Sequence, residues 1–289
     1  MRTEEVMLTL ITTIAEQDER IRAVMMNGSR VNPAAKRDIF QDFDIVYFVT
    51  EIDSFLADHT WIDCFGERMI MQMPEAMADP PPMNDGHFAY LMQFMDGNRI
   101  DLTLFPLALL PTFILESLSR MLLDKDGRFP ALPPPTDRDF LPTPPTAKAF
   151  ADCCNEFWWV ATYVAKGLWR GELPYAKALL DGAVREQLLK LLTWHIGVKT
   201  DFKQGAGKFG KDLQRQLQPD LWAMVEKSYA DAAYDNNWEA LLIMCDLFRQ
   251  VAVPMAERYA FSYPHGDDQR VSAHLRHVRA LPKTAMTMY

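Results

Sequence analysis

The stretch Val24-Met25-Met26-Asn27-Gly28-Ser29-Arg30, followed about a dozen residues later by Asp42-Phe43-Asp44-Ile45-Val46-Tyr47-Phe48-Val49, does most to limit what this chain can fold into. It reads as a strand, a tight turn at a glycine leading into a helix start, a connection, and a second strand that opens with two carboxylates. Alternation along that strand puts Asp42 and Asp44 on one face and Phe43 and Ile45 on the other. Two carboxylates that close repel each other unless a cation lies between them. Gly28 lets the backbone approach a bulky anion, and Ser29 adds a hydroxyl beside free N–H groups at a helix start. One element suits a polyphosphate and the other suits magnesium.

The flanking sequence predicts mixed α and β structure. Thr3 before Glu4 and Glu5 is a helix start with acids near the positive end of the dipole, and Val6, Leu10 and Ile14 give an apolar stripe over residues 3–18. Strands are expected at 22–26, 44–49 and 68–73, and a helix over 53–65. Asp96-Gly97-Asn98 between 87–95 and 99–105 is a hairpin signal. Its second arm carries Asp101 between Ile100 and Leu102, either as a solvated strand acid or as a third ligand beside Asp42 and Asp44. The apolar run 107–121 reads as a helix, with Pro111 in its first turn.

Seven prolines between Pro130 and Pro145 make a stiff connector, which places a domain boundary there. Beyond it, apolar patterns of period 3.6 over 146–170, 172–198, 207–217, 219–234 and 236–261 predict a helical bundle. The tail after about residue 265 is expected to be loosely ordered. The fold class is therefore α+β: a domain over 1–135 with a mixed sheet and helices, then a helical domain over 146–289.

Composition narrows the function. A formal net charge of −9 with no basic stripe argues against nucleic acid and suits a cationic partner. No apolar run is long enough to span a bilayer, and Met1-Arg2-Thr3-Glu4-Glu5 lacks a signal-peptide layout. Four cysteines, with Cys153 and Cys154 adjacent, form neither a disulfide framework nor a zinc pattern, so reduced thiols in a cytoplasmic protein are expected. His274 and His277 have no companion ligands and read as surface histidines.

The elements combine into one chemistry. Three carboxylates hold one or two divalent cations, which clamp a triphosphate and polarise an acceptor hydroxyl for in-line attack. Gly28-Ser29-Arg30, Phe40-Gln41-Asp42-Phe43-Asp44-Ile45 and Arg99-Ile100-Asp101-Leu102 resemble the nucleotidyltransferase superfamily, and more narrowly the aminoglycoside 6-adenylyltransferases, which inactivate streptomycin. The resemblance extends through Trp158-Trp159, Arg185-Glu186, Trp194-His195-Ile196-Gly197 and Gly207-Lys208-Phe209-Gly210-Lys211.

That resemblance implies an enzyme that moves AMP from Mg-ATP to a drug hydroxyl and releases pyrophosphate. It assigns Asp42, Asp44 and Asp101 as Mg²⁺ ligands, with Asp101 also the base for the acceptor proton. Gly28 and Ser29 would hold the distal phosphates, and Arg30 would neutralise them or stay solvated. Lys208 and Lys211 follow the pliable Gly205-Ala206-Gly207 and are either a solvated face or phosphate contacts, with Arg185 a weaker candidate on the preceding helix. Trp158 either packs in a core or lines a sugar pocket, and His195 is a satisfied helix residue or a substrate contact. Glu156, Glu172, Asp181 and Glu186 are available to a guanidinium-bearing drug. Transfer to another small-molecule or protein hydroxyl, or to a nucleic-acid 3′ end, is a competing reading, as is a non-catalytic nucleotide-binding protein. The active protein would be a monomer or homodimer.

Overall fold

The computed structural model describes residues 1–289, which divide into two compact units, Met1–Phe140 and Leu141–Tyr289. The first unit is built on a six-stranded mixed sheet: β1 (Ile21–Asn27), β2 (Phe43–Val49), β3 (Arg68–Gln72), β4 (Phe88–Phe94), β5 (Arg99–Pro106) and β6 (Ser119–Asp124). The spatial order is β3-β4-β5-β2-β1-β6. Only β2 and β5 run parallel, and both lie inside the sheet.

Helix α1 (Glu4–Gln17) lies on one face. The Thr3 hydroxyl accepts from the Val6 N–H, Glu4 and Glu5 stand in the first turn, and Met7, Ile11 and Ala15 make the buried stripe. That face holds the larger core, with Val24 and Met26 of β1, Ile45 and Tyr47 of β2 and Leu102 and Leu104 of β5. The Tyr47 hydroxyl donates to the Ile11 carbonyl at 2.6 Å and ties helix to sheet. The opposite face is smaller: Ala23, Met25, Val46 and Phe48 pack under Phe105, Phe113, Phe129 and Leu132. Inner strands covered on both sides explain why β1 and β2 are almost continuously apolar.

Two stretches differ from the sequence reading. Residues 53–65 are not one helix: a single turn, Asp53–Leu56, gives way to a 3₁₀ segment, His59–Phe65, whose start Asp58 caps by accepting from the Thr60 N–H. The run 107–121 is not helical either. A 3₁₀ segment covers Leu107–Thr112, and Ser119–Asp124 becomes the edge strand β6 on β1. Periodicity alone does not separate strand from helix in a short apolar run, and the open edge of β1 decides it.

The second unit is helical. Helix α2 (Ala147–Arg170) is capped by Thr146 and ends at Gly171, whose φ of +79° is the left-handed conformation that glycine adopts freely. Leu173–Leu179 runs through one π turn, Leu180–Val184, into α3 (Arg185–Thr200), with the break at Gly182. Pro219–Lys227, α4 (Tyr234–Tyr259) and α5 (His265–Ala280) complete the bundle. None of these helices is long and apolar enough to cross a membrane.

The ordered helix α5 corrects the expected loose tail. Asp268 is buried and accepts from Arg249 Nε and Nη2 at 2.6 Å each, from the Tyr263 hydroxyl at 2.9 Å and from the Ser272 hydroxyl at 3.0 Å. A carboxylate with that many donors sits satisfied inside the bundle, so α5 docks through a polar pin with Leu275 and Val278 beside it. All four cysteines are free, and only Cys64 is exposed.

Candidate active site

The site grows from the end of β1. Asn27 leads into Gly28, whose φ is +77°, and a 3₁₀ turn, Gly28–Arg30, follows. A Cβ at Gly28 would lie 2.1 Å from Oδ2 of Asp44, so the absent side chain is what lets that carboxylate sit against the turn. The Gly28 N–H donates to the Leu118 carbonyl at 3.1 Å and is not free for a phosphate. Ser29 is half-buried, and its carbonyl accepts from the Asn32 N–H and from Gln41 Nε2.

Strand register brings the acids together. Across the parallel pair, Asp44 of β2 stands opposite Asp101 of β5, and across the antiparallel pair it stands opposite Asn27 of β1. Asp42 lies just before β2 rather than within it, so strand alternation does not fix it. Arg30 fixes it. The buried guanidinium donates from Nε to the Asp42 carbonyl at 3.1 Å and from Nη2 to the Gln41 carbonyl, pairs with Glu4 at 3.1 Å and lies 3.7 Å over the Phe43 ring. Arg30 is therefore a clamp on the strand entry, buried rather than the solvated turn arginine that the sequence also allowed.

The charges are crowded. Burial, reinforced by Asp101 and Asp42, pushes the Asp44 carboxyl up to about 6, and burial likewise raises Asp42. Arg99, at the start of β5, forks onto Asp101 with Nε to Oδ1 and Nη2 to Oδ2 both at 2.8 Å, and its Nε stands 3.7 Å from Oδ2 of Asp42. No three acids, histidines or cysteines stand converged as a metal cage. Two buried acceptors at the same end of the sheet, Asn27 Oδ1 and Ser119 Oγ, have no hydrogen-bond partner, and Asn27 and Ser119 are themselves a register pair. Sequence reasoning quoted Arg99 without giving it a role and passed over Asn27. The signal was present in the i, i+2 spacing of Arg99 and Asp101, which puts both on one face of a strand.

The remaining expected residues belong to the second unit. Lys208 and Lys211 are exposed on the turn after Gly207, and the Lys208 ammonium lies 5.6 Å from the ring of Phe209, itself 86% exposed with φ +55°. Glu156 is exposed on α2. His195 is half-buried, 3.5 Å from Gln218 Oε1, and burial, then Lys199, lowers its pKa. One expectation is corrected. Arg185 is buried and committed to the Ser228 hydroxyl at 2.9 Å, the Ser228 carbonyl at 2.7 Å and Asp181 at 2.9 Å, with its guanidinium 3.7 Å over Tyr229. Trp158 takes the core role of its two expected ones, packed edge-on to Phe157 and Phe248, whereas its neighbour Trp159 is exposed. His274 and His277 both engage Tyr289 and form no metal pair.

Comparison with known proteins places nearly the whole chain beside one family. The family model described as streptomycin adenylyltransferase matches residues 1–278. The chain is similar to aminoglycoside 6-adenylyltransferases of Campylobacter jejuni, at 42% identity over 93% of both chains, and of Bacillus subtilis, at 39% over 93% of this chain and 95% of that one. A crystal structure of an aminoglycoside 6-adenyltransferase from Bacillus subtilis is 34% identical, covers 97% of this chain and 100% of its own, and has a TM-score of 0.49.

Proposed function

The chain belongs to the streptomycin adenylyltransferase family, and from that premise we propose that it transfers AMP from Mg-ATP to a hydroxyl of an aminoglycoside, the 6-position of streptomycin, releasing pyrophosphate. The observation that carries the reading is Asp44 and Asp101 side by side across the parallel strands, with the Gly28 turn pressed against Asp44.

By its chemistry the donor set fits a hard divalent cation: three carboxylates, two of them raised in pKa chiefly by burial and then by Asp101, with a guanidinium already drawn in among them. Asp42, Asp44 and Asp101 would hold Mg²⁺, which when bound offsets negative charge on the triphosphate and acidifies the acceptor hydroxyl. In the transfer, the acceptor oxygen bonds to the α-phosphorus as the bond to the bridging oxygen of the pyrophosphate breaks. Asp101 receives the acceptor proton, Arg30 holds Asp42 in place through its carbonyl, and the Ser29 hydroxyl binds the distal phosphates. A streptomycin-class acceptor carries guanidinium groups, and the net charge of −9 favours its approach.

Pyrophosphate release from Mg-ATP, followed with streptomycin present and absent, tests the proposal directly. Drug-dependent release is the expected result. ATP binding with no release in the presence of streptomycin would move the function to another acceptor or to a binding role.

Lys208 is proposed as a phosphate contact, because its exposed ammonium makes no ion pair and the glycine before it, with φ +70°, presents it on an open turn. Lys208→Ala is expected to raise KM for ATP about tenfold, the loss of one charge-assisted contact, with kcat little changed. Unchanged KM would return Lys208 to the solvated surface.

A further inference from the structure

Arg99 stands at the first position of β5, directly after the Asp96-Gly97-Asn98 turn, with its backbone held opposite Gln93 of β4. Its side chain is 41% exposed, so the guanidinium has room to move while the strand beneath it does not. Apart from Asp101 and Asp42 it has no ion-pair partner. Both Asp101 oxygens are engaged by the fork at 2.8 Å, a geometry that matches a carboxylate closely.

We propose that Arg99 is the resident counter-cation of the carboxylate cluster, that it must leave Asp101 for a divalent cation to bind, and that it then turns to the nucleotide's phosphates. This rests on the metal-binding reading of Asp42, Asp44 and Asp101. A guanidinium and a divalent cation cannot share the same carboxylate oxygens at contact distance without strong repulsion. Three carboxylates left alone would repel one another, so the metal-free fold is served by a cation of its own. A phosphate offers the planar fork the same bidentate match that Asp101 does, which gives the released side chain a second partner. Arg99 would thereby link metal and nucleotide binding: each ligand removes part of the cost of admitting the other, and the coupling is reciprocal.

The test uses the full chain and reads binding alone. Free Mn²⁺ is measured by electron paramagnetic resonance during titration, with and without α,β-methylene-ATP, a nucleotide that cannot donate AMP. Without nucleotide, Arg99→Ala should bind Mn²⁺ about tenfold more tightly than the unaltered chain, a coupling of ordinary size. The gain in Mn²⁺ affinity on adding the nucleotide should shrink by a similar factor. Arg99→Gln keeps the first methylenes and a polar end while removing the charge, should shift the same way, and serves if the alanine variant does not fold. Nucleotide-free affinity that is unchanged or weaker in a folded Arg99 variant overturns the proposal. Asp101→Asn separates the two readings: if it leaves Mn²⁺ binding as it was, the carboxylate metal site itself fails, and the counter-cation role with it.

Discussion

Replacing Asp44 by Asn is expected to abolish AMP transfer and, at neutral pH in metal-free buffer, to stabilise the protein. The first effect follows from removing a charge from the proposed Mg²⁺ ligands, a loss on the order of a thousandfold in kcat/KM. The second follows from the raised pKa. The Asp44 carboxyl stands at about 6 in the fold against 3.8 as an ordinary side chain, chiefly through burial and then through Asp101 and Asp42. The folded state thus binds this proton more tightly than the unfolded chain does. Its ionisation costs nothing below pH 3.8, costs progressively more between 3.8 and about 6, and costs its full amount above that. Asp44→Asn has no such dependence and should be more stable than the unaltered protein at pH 7.5 by about 2 kcal/mol, with the gain shrinking as the pH is lowered to 4.5. Thermal melts at both pH values in chelator, paired with pyrophosphate release in Mg²⁺, check the two effects together. Near-normal turnover by the folded variant would remove Asp44 from the metal site. A lower melting temperature at pH 7.5 would refute the account of its repulsion.

Those acids were legible because a strand shows itself by alternation. Asp44 and Asp101, each in an apolar run bounded by turn residues, sit where the pattern puts them, and the parallel register supplies their contact. Asp42 was placed near them for a reason that only partly holds, since β2 begins at Phe43 and Arg30 rather than alternation positions it. What stayed hidden is what long-range partners decide. Arg30 serves main-chain carbonyls of the β2 entry, and Arg185 serves Ser228, forty-three residues away. Nothing near either arginine in the sequence distinguishes it from a phosphate ligand. Helix α5 escaped notice for a related reason, because two of its buried positions are Asp268 and Ser272, whose burial makes sense only with Arg249 and Tyr263 around them. Ser119–Asp124 was misread because its apolar run was ambiguous by itself and the edge of β1 settled its form.

Gly28→Ala should be the most damaging single-methyl change in the first unit. Two costs add. An L side chain at φ +77° is strained by about 1–2 kcal/mol. Its Cβ would also stand 2.1 Å from Oδ2 and 2.8 Å from Cγ of Asp44, a separation no structure tolerates. The Asp44 backbone is locked between β1 and β5, so relief comes from swinging the carboxylate away or opening the β1 turn. Either movement takes Asp44 from its place opposite Asp101. The substitution is therefore expected to cost about 3 kcal/mol in urea unfolding and to remove both drug-dependent pyrophosphate release and tight Mn²⁺ binding. A double-mutant cycle separates the contributions. In an Asp44→Ala background the colliding carboxylate is gone, and Gly28→Ala should then cost only the strain of its backbone, about 1–2 kcal/mol. An equal cost in both backgrounds would mean that the turn needs glycine for its φ alone, and that Asp44 does not depend on the space Gly28 leaves open.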